Sequence, residues 1–112
     1  MIKDILTASG LQHREGSSPA RLPAEPFVYY FDDVELDGAD QVTPLAGAWL
    51  PGVYHHDVRL ELYTTQADPA AEAALEAQIR ARGLTYQKYT REWLADVQRY
   101  LVNYELSYTT KS

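Results

Sequence analysis

Apolar residues recur with two different periods along this chain, and the change of period marks its elements. From Asp57 to Thr65, Val58, Leu60 and Leu62 alternate with Arg59, Glu61 and Tyr63. A period of two belongs to a strand that turns one face to a core. The stretch from Val53 to Gly83 reads as one long strand turning directly into one helix. Asp68 can N-cap that helix, since its carboxylate can accept an orphan N–H of the first turn. Pro69 takes the first helical position, where a missing N–H costs nothing. Glu72 and Glu76 lie toward the positive end of the helix dipole, Arg80 and Arg82 toward the negative end. Gly83 supplies the left-handed residue that ends it. Ala71, Ala74, Leu75 and Ile79 form the buried stripe, with Gln78 at its margin.

The flanking segments are shorter. Met1 to Ser9 is an amphipathic helix with Ile2, Ile5 and Leu6 on one face and Gly10 as its stop. Too short to stand alone, it must dock on something. Leu11 to Arg14 is a brief extended segment. Residues 15–26, EGSSPARLPAEP, form a loop by composition. FVYYF, Phe27 to Phe31, is a strand. Residues 32–52 read as a second extended loop, broken by Asp37-Gly38, Pro44, Gly47, Pro51 and Gly52. Trp49 and Leu50 near its end either cover a sheet edge or anchor a partner. Leu84 to Tyr89 is a short strand or edge segment with Tyr86 and Tyr89. Thr90 to Asp96 is a helical turn capped by Thr90 or a bulged connection, with Trp93 and Leu94 inward. In Val97 to Tyr108 the residues Tyr100, Val102, Tyr104, Leu106 and Tyr108 share a face, opposite Leu101, Asn103, Glu105 and Ser107. Residues 109–112 are a polar tail. The expected fold is a single α+β domain over 1–112. It is a two-layer sandwich with a mainly antiparallel four-stranded sheet, and one long and one short helix on one face. The last strand and the strand before the long helix should be antiparallel neighbours.

Charge and composition narrow the function classes. The net charge of -6, with ten scattered Lys and Arg, disfavours general attraction to nucleic acid. The absence of cysteine removes disulfides and thiolate metal sites. No apolar run approaches the ~18 residues of a spanning helix, and the N-terminus lacks a signal-peptide apolar region. A protein made and kept in the cytosol, without membrane contact, is the expectation. Nine tyrosines and two tryptophans suit strands and protein interfaces.

Catalytic chemistry finds little footing. His55-His56 point to opposite faces of a strand, so they cannot share an ion without a bulge. His55 with Asp57 and a third ligand from His13 is a metal option, less favoured than two surface or interface histidines. Asp32-Asp33 and the carboxylates from Glu35 to Asp40 read as a solvated acidic loop. There is no GxSxG and no glycine-rich phosphate loop. Tyr100 to Tyr108 as a base-stacking platform would need a basic groove that the charge does not provide. The residues therefore point to no enzyme, no cofactor and no metal.

Three segments in order add more: EPFVYYFDD, then DVRLELYTTQADPAAEAALEAQIRARGLTYQKY, then REWLADVQRYLVNYELSY. Together they resemble a family of small tail-terminator or tail-completion proteins of long-tailed bacteriophages. The matching parts are Pro26 to Tyr30, Arg59 to Asp68, and Trp93 to Leu106. The ELYT run with its downstream YEL is the more specific part. The loop from Ala39 to Gly52 is longer and richer in Pro and Gly than that pattern. The resemblance implies a structural virion protein of the tail and neck, assembled in the host cytoplasm. Such proteins form a hexameric ring at the head-proximal end of the tail tube, end tube growth and join the tail to the head connector. The implied partners are copies of itself, the major tail-tube protein and the head-completion or stopper protein, with DNA passing through unbound. Closed rings use heterologous interfaces. Arg21, Leu22, Trp49 and Leu50 are the candidate interface residues, and Asp32, Asp33, Glu35, Asp37 and Asp40 the candidate lumen-facing acids. The alternatives are a head-closure (stopper) or other neck protein, and a small ligand-binding or enzymatic α+β domain.

Overall fold

The computed structural model describes residues 1–16, 22–37 and 53–111, with the backbone alone at 36 and 37. Its elements are α1 (Ile2–Ser9), β1 (Gln12–Glu15), β2 (Phe27–Asp37), β3 (Val53–Thr64), α2 (Pro69–Ala81), β4 (Gln87–Lys88), β5 (Glu92–Leu94) and β6 (Arg99–Lys111). The fold is α+β, a mixed six-stranded sheet with two helices. The strand order is β1-β2-β3-β6-β4, with β5 also on β6. β1 runs parallel to β2; the remaining pairs are antiparallel.

The alternation along each strand decides where the core sits. Val28 and Tyr30 of β2, Val58, Leu60 and Leu62 of β3, and Val102, Tyr104, Leu106 and Tyr108 of β6 form one buried cluster. Ile2, Ile5 and Leu6 of α1 and Ala71, Leu75 and Ile79 of α2 complete it, so both helices lie on the same face of the sheet. Removing a Leu or Ile side chain from water contributes about 1.5–3 kcal/mol. A smaller cluster on the other face joins Tyr29, Tyr63 and Leu101, with Leu22, Phe27, Phe31 and Leu94 against it.

Local signals hold at both helices. Asp68 Oδ1 accepts the Ala71 N–H at 3.0 Å, and Pro69 opens α2. Gly10 and Gly83 close the helices at φ 78° and 72°, where a side chain would be strained.

The sheet departs from the expected four antiparallel strands in three ways. First, β1 adds to β2 in parallel, and both β4 and β5 pair with β6. Second, residues 32–37, expected as the start of a loop, continue β2, each opposite a residue of β3 from Asp32↔Val58 to Asp37↔Val53. Asp and Glu are depleted in strands, but a long partner supplies the ladder that propensity does not favour. Third, Thr109 to Lys111, expected as a polar tail, extend β6 against Val53 to His55. Within 90–96, Glu92 to Leu94 form strand β5 rather than a helical turn, and Trp93, expected inward, is exposed, packed edge-on against Tyr100. The rest of the expected 32–52 loop lies outside the described residues, as do 17–21 and Ser112.

Candidate functional site

The two faces of the sheet differ in chemistry because they differ in cover. The helix-side face is apolar over most of its area. The opposite face is apolar only at the Tyr29, Tyr63 and Leu101 end. Beyond that patch the same alternation presents Asp33 and Glu35 from β2, His55, Asp57, Arg59 and Glu61 from β3, and Asn103, Glu105, Ser107, Thr109 and Lys111 from β6. Phe31, Asp33, Asp57, Arg59 and Glu105 line a shallow cleft there. Arg59 is held over the Phe31 ring, 4.3 Å from its centroid, and reaches Glu61 Oε2 at 3.6 Å. Acids outnumber cations on this surface, so it carries a net negative potential toward anything that approaches it.

The five candidate lumen acids do not share one surface. Asp33 and Glu35 are exposed on the helix-free face. Asp32 points to the helix side, where its carboxylate accepts from His56 Nδ1 at 3.0 and 3.2 Å. The reason is the two-residue period of β2, which a loop would not impose. Asp37 ends β2, but its side chain and Asp40 lie outside the described residues. Of the candidate interface residues, Arg21, Trp49 and Leu50 also lie outside them. Leu22 packs against the small cluster of the second face, and its carbonyl accepts from Arg99 at 3.2 Å.

Asp32, His56 and Thr110 form a polar line across three adjacent strands. His56 Nε2 lies 2.8 Å from Thr110 Oγ1, and its ring stacks on Tyr108 at 4.5 Å and 14°. A carboxylate only accepts, so Nδ1 carries a hydrogen and, in the neutral ring, Nε2 accepts from the Thr110 hydroxyl. Burial, then the charge of Asp32, raises the Tyr108 hydroxyl above its ordinary value. The line pins β2, β3 and β6 together beyond the apolar core. The metal option at His55 does not assemble. His55 meets Asp57 at 3.2 Å on the helix-free face, whereas His13 packs near Tyr30 on the other face. Among the described residues no group of three His, Cys, Asp or Glu is placed to hold a metal ion.

A second polar cluster was not legible as such in the sequence. Glu72 and Glu76 face the β4 end of the sheet from α2. Lys88 Nζ bridges them at 2.8 Å to each, and Arg91 binds Glu72 at 2.6 Å. Glu76 also accepts from Tyr104 at 2.7 Å and Tyr86 at 3.0 Å. Burial would raise the Glu76 pKa, but the hydrogen bonds from Lys88, Tyr104 and Tyr86 outweigh it and hold the carboxyl below its usual range. Hydrogen bonds to Glu72 and Glu76 push the Lys88 ammonium up. The signal was present as Glu72 and Glu76 at i and i+4, which share a helix face. What turns that face inward is the fold. The cluster fastens the short β4 and the approach to β5 onto α2.

No described helix is long and apolar enough to cross a membrane. No protein-family model matches this chain, and no curated protein matches it.

Proposed function

We propose that this protein is a tail terminator of a long-tailed bacteriophage. In this reading it acts by shape: copies form a ring on the head-proximal end of the tail tube, stop tube growth and offer a surface to the head connector. The observation that carries the reading is the ordered run of three segments in the sequence. EPFVYYFDD falls on the start of β2, DVRLELYTTQADP on β3 and the opening of α2, and REWLADVQRYLVNYELSY on β5 and β6. The matched stretches are thus the central strands and the cap of the long helix, the parts that set subunit shape. The acidic helix-free face supports the reading in a second way. Turned to a lumen, Asp33, Glu35, Asp57 and Glu105 would repel phosphates and keep transit of DNA free of sticking.

The test is electron microscopy and native mass measurement of the purified protein, alone and with tail tubes. Rings seated on tube ends are expected, with tube length fixed on their addition. A protein that neither forms rings nor binds tube ends would overturn the reading. A ring that binds the connector but ignores tube ends would reassign it to the stopper of the neck.

A further inference from the structure

The central strands are longer than the strands that flank them. β2 pairs with β3 along its whole length but with β1 only over Phe27 to Tyr30. Among the described residues, Phe31 to Asp37 therefore carries no strand on its outer side. On the other side of the sheet, β6 pairs with β3 as far as Lys111, while β4 reaches only to Glu105. Thr85 and Tyr86 flank Ser107 across a shallow cleft; beyond it, Tyr108 to Lys111 meets no strand among the described residues. Among the described residues, one slab of three strands thus ends in two edges, on opposite sides, that no further strand covers.

The direction of the backbone groups at these edges can be read from their neighbours. The Tyr30 carbonyl accepts the Gly16 N–H at 3.0 Å, on the β1 side. Alternation then turns the N–H and C=O of Val34 and Leu36 away from β3. The Asn103 carbonyl accepts the Tyr89 N–H at 2.9 Å, on the β4 side. The groups of Thr109 and Lys111 turn outward by the same rule. Such edges are templates for another strand.

Their charges select the partner. The β2 edge, FDDVELD, holds Asp32, Asp33, Glu35 and Asp37 and no cation. Two such edges brought together would set carboxylates against each other. The β6 edge, YTTK, holds no carboxylate, one cation and residues that favour strands. We propose that the β2 edge of one copy pairs with the β6 edge of the next, so that the sheet continues from subunit to subunit. The contact is heterologous, and it propagates around a ring. Because β2 and β6 both run antiparallel to β3, subunits related by rotation about an axis along the strands join these edges in parallel. Every copy then keeps its helices on one side and the row of Asp33, Glu35 and Asp57 on the other. This rests on the ring reading given above and assigns its subunit contact.

Two variants each remove one outward N–H without touching a ladder bond inside the subunit: Val34→Pro on β2 and Thr109→Pro on β6. At a concentration where the parent protein is fully assembled by native mass spectrometry, each variant alone should be a folded monomer by circular dichroism and mass. Mixed, they should form a one-to-one heterodimer through the two edges left intact. Rings that persist in either variant, or a mixture that stays monomeric, would overturn the edge pairing and leave the terminator reading standing. A parent protein that is monomeric even beside tube ends would overturn both. If a variant does not fold, amide exchange on the parent ring decides: slow exchange at Val34, Leu36, Thr109 and Lys111 supports the pairing, and fast exchange there overturns it.

Discussion

Replacing Lys88 by Met tests whether the cluster beneath α2 acts through charge. Lys88 Nζ lies 2.8 Å from both Glu72 and Glu76, whose side chains are 6% and 15% exposed, while its own is 38% exposed. A hydrogen bond to a charged group contributes about 1.5–3 kcal/mol. Solvent screening at Lys88 lowers that figure, and Arg91 remains to hold Glu72. Met keeps much of the apolar stem. The expected loss is about 1.5 kcal/mol at pH 7, or a fall in Tm of about 6 °C for a domain of this size. The pH dependence carries the diagnosis. The Glu76 pKa is lowered in the fold, so its contribution is present above the ordinary carboxylate value of about 4.3 and is lost as pH falls through the folded value. The Lys88 pKa is raised, so its contribution is full below about 10.4 and is lost as pH rises through the folded value. The gap between parent and variant, measured by urea denaturation, should be widest near neutrality and close on the acid side. A gap of equal size at pH 7 and pH 3 would refute the argument and assign the loss to packing.

Asp68→Ala should cost about 1 kcal/mol through the lost cap on α2; an unchanged urea midpoint would mean that the 3.0 Å contact to the Ala71 N–H contributes nothing. Tyr104→Phe removes the 2.7 Å hydrogen bond to Glu76 and should cost about 1–2 kcal/mol at pH 7. Burial, then the hydrogen bond to Glu76, raises the Tyr104 hydroxyl far above its ordinary value, so the parent loses stability as pH rises past about 10. Phe escapes that loss, and the gap in Tm between the two proteins should narrow from pH 8 to pH 11; a constant gap would contradict the assignment.

The sequence by itself determined the two helices, their caps and the inward row of the central strands. Those features rest on local physics. Asp68 and Pro69 can only start a helix well, Gly10 and Gly83 take the left-handed conformation at low cost, and alternation at Val58, Leu60 and Leu62 places them on one face wherever the strand lies. The antiparallel pairing of β3 with β6 followed from two long strands of matching pattern. What pairing partners decide was not legible. Asp32 to Asp37 read as a loop because acids are poor strand formers, yet Val53 to Val58 holds them in a ladder. That ladder sends Asp32 to His56 and Asp33 to the open face, a division that composition cannot express. Trp93, expected inward, is exposed because β5 lies at the margin of β6. Only the tertiary structure gave Glu72 and Glu76 their shared cation, since Lys88 reaches them from β4, a separate strand that the fold lays beside α2. Local preference depends on a few neighbours in the chain; register, edges and buried charge pairs depend on which distant segment arrives, and that is settled by the whole fold.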